Sequence, residues 1–500
     1  MTIKFKSELK ARYEAEHFSG NLFNLLPEDH DCFIFHQLMQ EIDTSAIEAT
    51  FSTIGQHGYH PRKIISILIY GYTHGVFSSR QLEQHCNQDL AFMYMAGADC
   101  PNFRVLSDFR KNNADFFKAC FKQSVELAIK LKMVSLGHIS LDGTKLKANS
   151  SKYKAMSYKH MKEKESALTA EIAALIDQAN SCDTEEDVDA NSEEEINAKI
   201  AELKLKQERL ESILKAKDAL EEREEALNPG VEIADNKQIS FSDTEARIMG
   251  KKGAFDYAYN AQASVDSDHQ IIVGQHITQN ANDQKEVAPA LASIVENVGK
   301  LPDAMSLDNG YASGTNLEAL DKSDMDAYVA VSRGEKVHKY GLDESKRSLV
   351  KADFIYNEED DCFLCPGSQY LTLQHEYKNG NRVYQGKRSA CESCSFFTRC
   401  CKSKKGEART INTDCFESHR RAMRELMSQS HAKEMYKKRK TIVEPVFGHI
   451  KNGGFRGFSV RGKDKVAGEF SLVCAAYNLK KIVKVKAAGV ICLNSAKMAA

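Results

Sequence analysis

Two short runs of this sequence end alike, Ser140-Leu141-Asp142-Gly143 and Ser306-Leu307-Asp308-Asn309-Gly310. Each reads as a strand that presents an aspartate at its C-terminal end, with a glycine nearby leaving room. A third acid, Glu444, precedes Pro445. The residue before a proline resists helical angles, so Glu444 falls near a helix start or a kink. Three carboxylates on rigid elements could serve two-metal phosphodiester chemistry, in which ions about 3.5–4 Å apart activate the attacking oxygen and stabilise the leaving one. Mg²⁺ prefers oxygen and needs only one or two carboxylates beside phosphate and water. Glu444 and Lys451 are also spaced to lie nearly in line on one helix face, about two turns apart. The chain has 70 acidic residues, however, and an aspartate before a glycine is also a turn former. Spacing alone leaves the turn reading open.

The elements that would position these acids read as an α/β core with helical additions. Residues 1–135 are helical in pattern: Ile64, Ile65, Leu68 and Tyr72 recur at helical spacing up to Gly75, and Ser78 with Gln81 fits a capping box. A helix opening at Asn102 carries Arg104, Arg110 and Lys111. Short helices with basic residues suit either a helix-turn-helix DNA reader or a plain bundle. Residues 136–154 hold the first aspartate strand. In 155–230, Ile196, Leu203 and Leu210 and, offset by four, Ile200, Gln207 and Leu214 make a heptad seam, which predicts an antiparallel helical hairpin. Residues 231–331 return to strands, at Ala258–Val265 and Gln270–Ile277, then a helix with Asp283 as its candidate cap, then the second aspartate strand. Residues 332–430 hold most of the clustered cysteines. Residues 431–500 hold Glu444 on a helix expected to run from Glu434 through Lys451, and a last apolar helix, Phe470 to Val485.

Cys362, Cys365, Cys391, Cys394, Cys400 and Cys401 form two CxxC pairs and a doublet. In a reducing compartment such pairs point to zinc. The preferred ligand set is Cys365, Cys391, Cys394 and Cys400, with Cys362 as rival to Cys400; reduced cysteines in a small domain are the competing explanation. His269 and His276 are better read as structural than as ligands, and Asp256 and Asp266 as turn or edge residues. The charged first ten residues and the lack of any apolar stretch of about 18 residues argue against a signal peptide or a membrane span. A cytosolic, nucleoid-associated place is therefore expected. The net charge of −2 does not itself advertise a nucleic-acid binder. Charge is distributed unevenly, though: 183–195 contains no basic residue, whereas Lys433, Lys437, Lys438, Arg439, Lys440, Lys451, Arg456, Arg461, Lys463 and Lys465 crowd the region of Glu444.

At these residues the chain resembles the DDE transposases of bacterial insertion sequences. The blocks that carry the resemblance are residues 60–86, 140–151 (SLDGTKLKANSS), 255–284, 306–317 (SLDNGYASGTNL) and 436–462 (YKKRKTIVEPVFGHIKNGGFRGFSVRG), in the family's order. The resemblance implies a ribonuclease-H-like core of mixed sheet and helices, interrupted by the helical hairpin and the Cys-rich insertion. It implies Asp142, Asp308 and Glu444 as catalytic ligands of Mg²⁺ or Mn²⁺, cutting at the ends of a mobile element and strand transfer into target DNA. In a related signature a tyrosine, an arginine and a lysine surround the glutamate. Lys451 fits it, while Tyr436 and Arg439 stand one residue further upstream than its spacing. DNA contacts are expected from Arg80, Arg104, Tyr436, Arg439, Lys451 and Arg456, with an affinity that falls steeply with salt. A homodimer on paired ends is expected too. Two rivals remain, a nuclease that cuts without joining and a DNA-binding regulator without catalysis.

Overall fold

The computed structural model describes residues 22–51, 58–151, 154–182, 192–251, 254–331, 348–378, 380–401 and 407–489. The charged first ten residues and most of the acidic run lie outside the described residues. The chain divides into two compact units, Met1–Ser124 with Gly453–Phe455 and Leu472–Ala500, and Val125–Asn452 with Arg456–Ser471. Among the described residues no helix is long and apolar enough to cross a membrane.

The first unit is helical: α1 (Asp31–Gln40), α2 (Ser45–Glu48), α3 (Pro61–Thr73), α4 (Ser79–Gln88), α5 (Leu90–Met95), α6 (Phe103–Asn112) and the start of α7 (Ala114–Lys130). Pro61 at the first turn and His60 at the N-cap open α3, whose Ile64, Ile65, Leu68 and Tyr72 are buried. Gly75, at φ +79°, follows its end. Asn102 caps α6 by accepting from the Val105 N–H at 3.0 Å. Ser78 occupies the N-cap of α4, but its side chain makes no capping bond, so the expected capping box does not form. Arg110 is buried rather than displayed. Its guanidinium donates to Tyr72 Oη at 3.1 Å, the Phe77 carbonyl at 2.7 Å and Ser79 Oγ at 2.9 Å, tying α3, α4 and α6 together. Arg80 and Arg104 are exposed, with Arg80 lying over the Phe103 ring at 4.1 Å.

The second unit is built on a six-stranded mixed sheet. Its strands are β1 (Ile139–Lys147), β4 (Arg247–Lys251), β5 (Ala254–Asp266), β6 (Ile272–Thr278), β7 (Ala304–Leu307) and β8 (Asp326–Val329), ordered β4-β5-β1-β7-β8 with β6 also paired to β5. Strands β1, β7 and β8 run parallel, and β5 is antiparallel to β1, β4 and β6. Helices α10 (Val287–Val298) and α11 (Gly314–Asp321) follow the strands in the β-α alternation that makes parallel pairing possible. Asp142 is not at a strand end. Strand β1 continues five residues past it because β5 supplies partners as far as Lys147.

Two additions interrupt this sheet. Between β1 and β4, the short strands β2 (Ala155–Ser157) and β3 (Gln238–Ser240) pair and form the stem of helices α8 (Tyr158–Cys182) and α9 (Ser192–Leu227). The helices are antiparallel, since Lys217 meets Glu165 at 2.7 Å while Lys206 meets Glu171 at 2.6 Å. Their seam keeps Leu210 of the expected set and continues through Ile213, Ala216 and Leu220, buried with Met161 and Leu168, while Ile200 is 57% exposed. Gln207 faces solvent, as a polar residue should when the next turn offers an apolar one.

Between β8 and α14 (Glu417–Ser428) lies a five-stranded antiparallel sheet of β9 (Ile355–Asn357), β10 (Cys362–Leu364), β11 (Tyr370–Glu376), β12 (Asn381–Gln385) and β13 (Thr410–Asp414), with short helices α12 (Arg388–Glu392) and α13 (Phe397–Cys400). Phe354, Phe363, Leu371, Tyr384 and Ile411 form its core. The stretch expected as one helix from Glu434 is three, α15 (Ser430–Lys437), α16 (Arg439–Ile442) and α17 (Glu444–Asn452), before α18 (Lys463–Ala487). Pro445 explains the last break, because it suits the first turn of a helix and disfavours helical angles at Glu444.

Replacing Arg110 with leucine would leave two buried hydroxyls and a part-buried carbonyl without their donor. A loss of about 2–4 kcal/mol is expected, read as a lower urea midpoint of the helical unit.

Candidate active site

The two Ser-Leu-Asp runs stand side by side. In the parallel ladder Ser140 pairs with Ser306 and Leu141 with Leu307, and pairing stops there. Asp142 and Asp308 are the next residues on each strand, so this register delivers both acids to one level. Each position of the run has a physical task. The serine hydroxyls bond each other at 2.7 Å in the buried layer, with His138 Nε2 3.0 Å from Ser306. The leucines are fully buried. Side chains two apart share a sheet face, so the aspartates emerge on the serine side.

Both aspartates line an open pocket of about 990 Å³, together with Lys145, Asp283, Arg439 and Lys451. Asp142 Oδ1 accepts from the Gly143 N–H at 2.8 Å. Asp308 caps the turn after β7 by accepting from the Gly310 N–H at 2.6 Å. Arg439 joins the third acid to the first: Nη1 lies 3.0 Å from Asp142 Oδ2 and Nη2 2.8 Å from Glu444 Oε1. Burial pushes the Asp142 carboxyl up to about 6. Arg439 and the Gly143 N–H oppose that rise, while Asp308 and Asp283 add to it. Burial works against the charge of Arg439, yet Asp142 and then Tyr436 and Glu444 hold its pKa above the ordinary value. Lys451, near the end of α17, donates to Thr144 Oγ1 on β1.

Of the residues predicted to meet DNA, Arg439 and Lys451 are in this pocket. Tyr436 lies beside them, its ring 6.0 Å from the Arg439 guanidinium, and Arg456 is exposed. His276 bonds the buried Glu286 at 2.8 Å and is structural. Asp266 is buried and accepts the Leu136 and Asp268 N–H groups, shaping a turn. Asp283 is not a helix cap, since Glu286 holds the N-cap of α10. Instead its Oδ1 accepts from Asn260 Nδ2 and Gln262 Nε2, both at 2.7 Å. Tyr311, fully buried, donates to Gln262 Oε1. Nothing in the spacing of the acids points to Asn260 or Gln262. The available signal was the Asn260-Ala261-Gln262-Ala263-Ser264 alternation, which puts amides at period two on a strand buried on both faces. Buried amides must be satisfied, and here they point at a carboxylate. Gly143 makes this possible: a Cβ there would lie 2.2 Å from Gln262 Nε2 and 3.0 Å from Asn260 Oδ1.

Paired hard oxygens suit Mg²⁺, which completes its shell with phosphate and water. Among the described residues no three His, Cys, Asp or Glu side chains converge as a self-sufficient metal site. Arg439 supplies the positive charge between Asp142 and Glu444.

In the small sheet, Cys365, Cys391, Cys394, Cys400 and Cys401 line one cavity, and Cys362 does not. Cys365 Sγ accepts the Gln369 N–H at 3.3 Å and Cys394 Sγ the Phe396 N–H at 3.5 Å. A Cβ on Gly367 would lie 2.9 Å from Cys394 Sγ and 3.6 Å from Cys365 Sγ. Cys400 is buried in the apolar core of the sheet, and Cys401 packs against it. Cys401 thus stands beside the four predicted ligands where Cys362 was the expected rival.

An acidic pocket edged by arginine and lysine on a mixed sheet has the chemistry to take a divalent cation beside a phosphate ester. Comparison with known proteins narrows the class. A family model described as "Transposase DDE domain" matches residues 364–483, and one described as "Transposase domain" matches residues 20–112. The chain thus carries two transposase domains and has the function of a DNA transposase, which cuts and transfers DNA strands with a divalent metal. The first match includes Glu444 but neither Asp142 nor Asp308. No curated protein matches the sequence. A cryo-EM structure of the piggyBac transposase synaptic complex with hairpin DNA matches with a TM-score of 0.31 at 8% identity, covering 92% of this chain and 75% of that one. A likeness so loose fixes neither topology nor chemistry.

Gly143→Ala would drive Gln262 off Asp283 without touching an acid. DNA cleavage is expected to fall by roughly 10²-fold, the cost of a misplacement of about 1 Å, while circular dichroism stays that of the parent.

Proposed function

We propose that Asp142, Asp308 and Glu444 are the catalytic triad of this transposase, on a ribonuclease-H-like core, and that they hold Mg²⁺ or Mn²⁺. The observation that carries the reading is the β1–β7 register, which brings the two aspartates to one level of a pocket where Arg439 links Asp142 to Glu444. The three parallel strands with an antiparallel neighbour support the core assignment. Bound there, two such ions would activate the attacking oxygen and stabilise the leaving one. The chain's own residues do the rest. Gly143 and Gly310 N–H groups orient one oxygen each of Asp142 and Asp308, leaving the second oxygen of each carboxylate for other partners. Lys451 and Arg439 put positive charge where a phosphodiester would lie. Arg439 has two roles in sequence: it neutralises Asp142 and Glu444 in the free enzyme, then turns to the DNA backbone when cations take over that neutralisation.

DNA contacts follow the same division. Exposed Arg80 and Arg104 serve the helical unit, and Tyr436, Arg439, Lys451 and Arg456 serve the backbone near the acids. Element ends and target DNA are the substrates, and a homodimer assembles on paired ends. In the small sheet we place a structural Zn²⁺ on Cys365, Cys391, Cys394 and Cys400, with Cys401 competing for the fourth position. Soft thiolates at short spacing favour that ion.

Asp142→Asn, Asp308→Asn and Glu444→Gln are each expected to abolish Mg²⁺-dependent cutting of DNA carrying the gene's own flanks, with DNA binding retained in EDTA. Cutting that survives all three substitutions would reject the triad. For the zinc, elemental analysis of purified protein should find about one ion per chain, the stoichiometry of a single tetrahedral thiolate site. A Cys391→Ser protein with undiminished zinc would remove this assignment.

A further inference from the structure

The most closely held carboxylate of the pocket is one outside the triad. Asp283 lies between β6 and α10 and lines the pocket with Asp142 and Asp308. Its Oδ1 receives both amide donors described above, and Lys145 Nζ stands 3.6 Å from the same oxygen. Oδ2 is therefore left to face another way. It faces Gly310: a Cβ on that residue would lie 3.3 Å from Asp283 Oδ2 and 2.8 Å from Asp308 Oδ1. The glycine thus keeps open a gap one carbon wide between two carboxylate oxygens.

A second observation points the same way. Asn260 is fully buried, and its Oδ1 has no hydrogen-bond donor. This is the amide whose nitrogen grips Asp283. Buried amide oxygens are rarely left unmatched, and this one faces Gly143, a lining residue of the same pocket, where the water shell of a bound cation would satisfy it. Asn260 and Gln262 face β1 across the ladder, opposite Lys145 and Gly143, so the clamp is part of the sheet that carries Asp142.

We infer that Asp283 is a fourth carboxylate of the catalytic pocket, sharing a divalent cation with Asp308 through Oδ2, and that Asn260 and Gln262 are the positioning residues that aim it. The inference rests on the reading of Asp142 and Asp308 as metal ligands. Two carboxylates beside water and phosphate meet the usual needs of such an ion. The amides then act as an outer shell, fixing which oxygen of Asp283 is presented.

Mn²⁺ binding to the full-length protein without DNA, followed by electron paramagnetic resonance, tests this directly. Asp283→Asn keeps the shape and can still accept from both amides, yet it should weaken Mn²⁺ by about tenfold or more, and Gln262→Leu should lie within the same range. Gly310→Ala should weaken it too by filling the gap, and Asp283→Glu should recover part of the loss. DNA binding in EDTA should match the parent in every variant, which checks the fold. Mn²⁺ affinity unchanged in Asp283→Asn and Gly310→Ala but reduced in Asp308→Asn overturns this inference and leaves the triad in place. Affinity unchanged in Asp142→Asn and Asp308→Asn as well overturns the triad reading beneath it.

Discussion

The site depends on one buried contact, the bond between Ser140 Oγ and Ser306 Oγ. A parallel ladder has evenly spaced hydrogen bonds and little of its own to choose one register over another. Two hydroxyls in an apolar layer supply the choice, since a slip that parts them costs about 1–3 kcal/mol for a hydroxyl left unpaired. His138 reinforces the pair, and burial lowers its pKa to about 4, so it is a neutral partner at ordinary pH. From that register Asp142 and Asp308 emerge together. A one-residue slip would turn one aspartate to the opposite face and a leucine into the pocket.

Once the acids are level, their charge must be managed. Asp142 is mostly buried and near Asp308 and Asp283, an arrangement that disfavours ionisation. Arg439 offsets it from α16, and the break before α17 lets Glu444 reach the other side of the same guanidinium. A planar cation with two forks suits this better than an ammonium would. Lys451, lower on α17, meets Thr144 on β1. The short helices of this region thus bring Arg439 and Lys451 to one strand, β1, while Glu444 meets Arg439.

Much of this was legible in the sequence, and the failures have physical causes. The strands that carry Asp142 and Asp308 and the helical hairpin follow from residue patterns that hold locally. Asp142 was expected at a strand end because Asp-Gly usually marks a turn. Here Gly143 continues the strand and serves to admit Gln262, a tertiary reason no local pattern carries. Asp283 looked like a helix cap because an acid a few residues before an apolar run usually is one. Its partners, Asn260 and Gln262, lie more than twenty residues away in the chain. Leu210 of the expected heptads joins the hairpin seam and Ile200 does not, because the apolar stripe continues through Ile213, Ala216 and Leu220 and only the partner helix decides which positions it covers.

The additions are compatible with such a demanding sheet because each closes on itself. The segment between β1 and β4 leaves and returns through the β2–β3 pair, with Ser157 opposite Gln238 and Ala155 opposite Ser240. The Cys-rich sheet is held at its base by the buried Glu417, which takes Lys351 at 2.5 Å, Thr413 at 2.7 Å and Arg421 at 3.0 Å. Loop closure grows only logarithmically with length, about 0.6 kcal/mol for each doubling. A long insertion with a pinned stem is therefore little worse for the core than a short loop. The stem, rather than the length of what it carries, decides whether β1 and β5 still meet with Gly143 opposite Gln262.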